Sequence, residues 1–114
     1  LGTGGASKAV QYVLRQLHIP FLVVSRFPTN EKRYTTYAAL DEEVLASHKL
    51  IVNCTPLGMM PDVDTCPDIP YSMLTPEHLL YDLVYKPPKT LFLQKGEAMG
   101  AVVTNGYEML IIQA

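Results

Sequence analysis

Basic stretches, long apolar runs and ligand-spaced cysteines are all missing from this sequence, and each absence removes a class of function. The formal net charge is -2, and no run of Lys or Arg forms a stripe. There is no field to draw a polyanion, so nucleic-acid binding is not expected. No apolar run reaches the roughly 18 residues of a membrane-spanning helix, and no signal-peptide pattern occurs, so no membrane partner is expected. Cys54 and Cys66 have no zinc partners at ligand spacing, and His18, His48 and His78 follow no metal spacing. No metal site is expected, each histidine is expected at an element boundary in solvent, and a reducing cytoplasm is the expected setting. What remains is ordinary globular material: 114 residues, 48% hydrophobic and 18% charged, enough for one domain over residues 1–114 with a single core.

Apolar residues at Val10, Val13, Leu14 and Leu17 recur at helical spacing, which predicts an amphipathic helix over Ser7–Leu17 ending near His18-Ile19-Pro20. Phe21–Val24 reads as a buried strand and Tyr34–Ala38 as a second short one. A helix over Asp41–Ser47 and an apolar strand over Leu50–Cys54 follow. Pro56, Gly58, Pro61, Pro67, Pro70 and Pro76 then make 56–76 a long shaped loop, of the kind that usually carries function. Leu79–Tyr85 is the next strand, a helix begins at Pro88 and runs to about Met99, and Ala101–Thr104 is a last short strand. Asn105-Gly106-Tyr107-Glu108 opens a final helix, with a cap residue and an acid three positions on. Alternating strands and helices predict an α/β fold, a Rossmann-like three-layer αβα sandwich with a mainly parallel sheet.

One strand is lacking. Leu1 stands directly before Gly2-Thr3-Gly4-Gly5-Ala6, leaving no room for the strand that such a loop follows. The first strand is therefore expected to be missing from the fragment, at the centre of the usual 3-2-1-4-5-6 order. These residues alone are expected to be weakly stable and inactive.

Gly2, Gly4 and Ser7 occupy the three positions of a G-x-G-x-x-G pattern, with Gly5 added and a helix following at once. Glycine tolerates positive φ, and absent side chains let backbone N–H groups reach a pyrophosphate at the positive end of a helix. Alone, the pattern also fits a flexible turn between two elements. About 20 residues on, where an NAD-preferring fold carries an acid for the ribose 2′-hydroxyl, the sequence has Ser25-Arg26, with no carboxylate before Glu31. A guanidinium there suits a 2′-phosphate, which an acid would repel, so the loop reads as NADP-selective, with Thr29, Lys32 or Arg33 as further contacts. Taken by itself, Arg26 also fits a solvated loop cation.

Asn53-Cys54-Thr55-Pro56-Leu57-Gly58-Met59 resembles the N-x-T-P-x-G-M segment of shikimate dehydrogenases. Tyr81-Asp82-Leu83-Val84-Tyr85 with Pro87 is similar to that family's Y-D-x-x-Y-x-P, and Thr90, Leu93 and Gly100 fit the spacing after it. Asn105-Gly106-Tyr107-Glu108-Met109-Leu110-Ile111-Ile112-Gln113-Ala114 resembles its terminal N-G-x-x-M-L-x-x-Q-A. The resemblance covers the chain in order, and it implies the C-terminal NADP(H)-binding domain of an NADP-dependent oxidoreductase. That enzyme interconverts 3-dehydroshikimate and shikimate on the way to chorismate and the aromatic amino acids, as a monomer or homodimer.

By the same resemblance Gly4, Gly5 and Ala6 line the pyrophosphate, and Ser25 and Arg26 face the adenosine phosphate. Thr55 and Met59 lie along the cofactor, Leu83, Gly106 and Met109 frame the nicotinamide, and Tyr85 and Gln113 reach the substrate. Ser25-Arg26-Phe27 departs from the commoner N-R-T, losing a hydroxyl at Phe27 and leaving phosphate recognition more dependent on Arg26. The family's catalytic Lys and Asp belong to a substrate domain to which nothing here corresponds, so no catalytic residue is expected in this fragment. The alternatives are a quinate/shikimate dehydrogenase or a non-catalytic NADP(H)-binding module.

The chemistry accommodates these assignments. In the predicted final helix Gly106 and Gln113 lie about two turns apart on one face, with Met109 and Leu110 between them. That face can close a cleft wall, although Met109 and Leu110 also fit a core stripe. Tyr85, at a strand end, suits either a substrate contact or a buried sheet-edge aromatic. Asp82, inside an apolar strand, is expected to accept hydrogen bonds or a cation in a structural or cleft-orienting role rather than a catalytic one, and Cys54 to be a small packed residue rather than a nucleophile.

Overall fold

The computed structural model describes residues 1–29, 32–84 and 86–106. Helix α1 spans Gly5–Gln16, strands β1 and β2 are Val23–Ser25 and Tyr34–Thr36, and helix α2 is Glu42–Ser47. Strand β3 (Leu50–Asn53), β4 (Leu79–Asp82), helix α3 (Leu91–Ala98) and β5 (Val102–Asn105) complete the order. Every pairing among these strands is parallel, in two sheets, β1-β2 and β3-β4-β5. The α/β alternation read from the sequence is thus the observed one.

Element ends differ from expectation for local reasons. β4 stops at Asp82 because the carboxylate Oδ1 accepts the Val84 N–H (2.9 Å) and turns the chain out of the ladder. α3 begins at Leu91 rather than Pro88 because Thr90 is its cap, with Oγ1 accepting from Leu93 N–H at 3.4 Å. Asp41 caps α2 in the same way, through Val44 N–H at 2.9 Å. β2 gives way at Tyr37 to a single 3-10 turn over Tyr37–Ala39. The final helix predicted from Asn105 lies, apart from its first residues, outside the described residues; Asn105 itself ends β5 and donates from Nδ2 to the Pro88 carbonyl at 2.7 Å.

The core gathers Leu45, Ile51, Ile69, Leu74, Leu80, Phe92, Leu93 and Ala101. α3 packs on β4 and β5, and it lies so close that a Cβ on Gly96 would collide with Leu80 Cδ2. His78 corrects a sequence expectation. It is not in solvent but 1% exposed, its Nδ1 accepting the Thr75 N–H (3.1 Å) and its Nε2 facing the Leu45 carbonyl (2.7 Å). The donor at Nδ1 assigns the ring proton to Nε2, so the ring bridges the start of β4 to α2. His18 is exposed, as expected, whereas His48 is half-buried, with Nδ1 at 2.8 Å from the Val44 carbonyl.

Leu1 and Gly2 run between β1 and β3: Gly2 N–H donates to Val24 O (2.9 Å), Cys54 N–H to Leu1 O (2.9 Å), and Leu1 N to Val52 O (2.7 Å). Beneath them lies a cavity of about 370 Å³ whose walls include Val10, Leu14, Val24, Leu45 and Val52. Of the apolar stripe predicted for α1, Val10 and Leu14 border this hollow, Val13 and Leu17 are exposed, and the helix buries Ser7 and Gln11, joined at 3.1 Å.

Candidate functional site

Parallel strands bring their carboxyl ends to one edge. Asn53, Asp82 and Asn105 stand side by side in register, as do Ser25 and Thr36. Ligands of open α/β sheets sit beyond this edge.

The glycine turn leads into α1 there. Gly2 has φ +101°, and a Cβ on it would press Thr55 Cγ2 at 3.0 Å, so the turn and the segment after β3 are fitted together. At Gly4 and Gly5 the situation is opposite: a Cβ would meet nothing within 4 Å. Packing does not demand these glycines, whereas close approach of a ligand would. Gly4 caps α1 without a side-chain hydrogen bond, and the first turn carries no acid. Its N–H groups therefore present an unneutralised positive end to whatever lies above Gly4, Gly5 and Ala6, all of which are exposed.

At the end of β1 the half-buried Ser25 accepts the Phe27 N–H on Oγ at 3.2 Å. Arg26, exposed between them, lies over the Phe27 ring at 5.5 Å and makes no salt bridge among the described residues. Tyr37, at the end of β2, senses the same guanidinium. Burial pushes its hydroxyl up, and Arg26 pulls it partly back.

A buried polar network anchors the segment after β3. Asn53 and Asp82 are fully buried and joined at 3.2 Å, Asn53 Nδ2 donating to Asp82 Oδ1. Thr90 Oγ1 donates to Asp82 Oδ2 at 2.6 Å. Asn53 Oδ1 in turn accepts from Thr55 N–H (3.0 Å) and Thr55 Oγ1 (2.6 Å), which fixes that side chain. Burial pushes the Asp82 carboxyl above its ordinary range, against the lowering hydrogen bonds from Thr90, Val84 and Asn53. Asp82 thus accepts hydrogen bonds, as the sequence indicated.

A cleft of about 470 Å³ opens beside this network, bringing together Ala6, Thr55, Met59 and Leu83 from the sequence-based set. Gly106 abuts it, since a Cβ there would strike the Leu83 carbonyl. Pro56, Met60, Val84 and Lys86 also line the cleft; sequence reasoning passed over them. Met60 is tied in through its N–H to the Lys86 carbonyl at 3.2 Å, a contact between distant loops that no local pattern announces. Cys54 borders the cleft too, with burial pushing its thiol up, as suits a packed residue and not a nucleophile. Ser25 and Arg26 stand away from this cleft, at the β1 end. Tyr85, Met109 and Gln113 lie outside the described residues. No group of three His, Cys, Asp or Glu side chains among the described residues could hold a metal, and no described helix is long and apolar enough to cross a membrane.

Comparison with known proteins gives one pattern. No protein-family model matches the chain. The chain is 39% identical to the shikimate dehydrogenase (NADP(+)) of Ignicoccus hospitalis, over 99% of its own length and 44% of that protein's. Among solved structures, shikimate 5-dehydrogenase from Thermus thermophilus, in complex with NADP(H) and shikimate, superposes with a TM-score of 0.76 at 30% identity, covering 98% of this chain and 43% of that one. Quinate dehydrogenase from Corynebacterium glutamicum, in complex with NAD, gives a TM-score of 0.76 at 26% identity over 98% of this chain and 44% of that one. The Rossmann-like fold is thereby established, and the chain spans less than half the length of the relatives it matches.

Proposed function

We propose that this chain, related along its whole length to the shikimate dehydrogenases, is the NADP(H)-binding domain of an NADP-dependent enzyme that reversibly reduces 3-dehydroshikimate to shikimate. The observation that carries this reading is the bare, acid-free amino end of α1 under open space at Gly4 and Gly5. It stands on the same sheet edge as an arginine at the end of β1 that has no salt-bridge partner among the described residues.

The residues fit a dinucleotide in chemistry as well as in order. Gly2, Gly4, Gly5 and Ala6 would hold the pyrophosphate through backbone N–H groups, and Ser25 and Arg26 the 2′-phosphate. Thr55, Met59, Leu83, Gly106 and Met109 would shape the wall along the nicotinamide, where NADPH supplies the hydride. Met59, Met60, Leu83 and Val84 make that wall largely apolar. Tyr85 and Gln113 would orient the substrate hydroxyls. Proton transfer to the carbonyl oxygen falls to a Lys and an Asp of a substrate domain beyond residues 1–114, so none of these side chains is assigned a catalytic role. The setting proposed is cytoplasmic, as a monomer or homodimer.

The match to a quinate dehydrogenase favours one second reading, an enzyme acting on quinate as well as shikimate. The full-length protein should be assayed with shikimate and quinate in parallel, each with NADP⁺ and NAD⁺. Shikimate oxidation with NADP⁺ preferred is expected. Turnover of neither substrate, with nucleotide binding intact, would leave only a binding module.

A further inference from the structure

Phe27 is large, aromatic and 69% exposed. It adds nothing to the core, so burial does not account for it. Elsewhere in the fold the cation-ring contacts of Arg15 and Arg33 are made to Phe21, a half-buried ring. Phe27 differs in having the guanidinium of its neighbour Arg26 over its ring, 5.5 Å from the centroid. Its backbone is fixed as well, because Phe27 N–H is bound by Ser25 Oγ at 3.2 Å. Ser25 is itself in register with Thr36 across the β1-β2 pair.

A free arginine side chain loses much rotamer freedom when it meets a ligand, and any group that restrains it beforehand reduces that loss. We propose that Phe27 is a positioning residue for nucleotide selection: its ring holds the Arg26 guanidinium at the end of β1, so that the N–H groups are already set for an adenosine 2′-phosphate. The proposal rests on the NADP(H) reading of Arg26.

The test is isothermal titration of the full-length protein with adenosine 2′,5′-bisphosphate, with adenosine 5′-monophosphate as the ligand lacking the 2′-phosphate. Arg26→Ala should weaken the bisphosphate strongly and the monophosphate less. Phe27→Ala should weaken the bisphosphate about two- to fivefold, the size of an exposed cation-ring contact. Phe27→Leu, which keeps bulk without the ring, should behave like Phe27→Ala, and Phe27→Tyr should restore wild-type affinity. In the Arg26→Ala background, Phe27→Ala should cost nothing further. A Phe27→Ala loss that persists undiminished without Arg26, or no loss at all while Arg26→Ala is impaired, overturns the positioning role and leaves the NADP(H) reading standing. Unchanged bisphosphate affinity in Arg26→Ala overturns both.

Discussion

Single residues set the electrostatics of this edge. Arg26→Asp should raise the KM for NADPH roughly tenfold or more, the scale of a charged hydrogen bond lost, with far less effect on NADH; steady-state kinetics with both nucleotides measure it, and equal effects would remove Arg26 from phosphate recognition. Asp82 makes a second prediction. Its folded carboxyl titrates above the ordinary 3.8, so the folded state holds that proton more tightly than the unfolded chain does. The associated stability is fully present below the unfolded value and is lost as pH rises through the folded one. Urea unfolding of wild type and Asp82→Asn across that window should show the wild type losing stability relative to the variant as pH rises. A parallel pair of curves would show Asp82 to be indifferent.

At the scale of elements, α3 depends on one side chain with two partners. Thr90 caps the helix and donates to the buried Asp82, so Thr90→Ala should cost about 1 to 2 kcal/mol and Thr90→Ser much less, as read from urea midpoints. Gly96→Ala brings a methyl against Leu80 and should cost about 1 to 3 kcal/mol without altering nucleotide affinity. Alternation of strand and helix was legible from apolar spacing, because each element buries one face at its own period. Boundaries such as Asp82 and Thr90 were not, since each is set by a single side-chain oxygen accepting a nearby backbone N–H, which apolar period does not register. The glycine turn, Arg26 and Thr55 enter the candidate site from the sequence alone because their chemistry is local or lies in a compact motif. Met60, Lys86 and the burial of His78 were hidden because only the folded loops bring their partners to them. The stripe on α1 has a related limit: period identifies an apolar face but not what stands opposite it.

For the whole molecule, the two sheets differ in support. β3, β4 and β5 share the core with α3, whereas β1 and β2 pair over three residues each beside the hollow. Native-state hydrogen exchange should therefore find the amides of Ile51, Leu80 and Val103 better protected than those of Val24 and Thr35; equal protection would mean that the seam is no weak point. Parallel pairing throughout also gives the domain a polarity. The chemistry-bearing ends of the strands all face one way, and the opposite edge carries Lys49, ion-paired at 3.1 Å with Glu77 on the surface. A chain tethered to a solid support through the Lys49 amine would stand with its cleft turned outward, ready for nucleotide, which makes sheet direction a guide to immobilisation as well as to recognition.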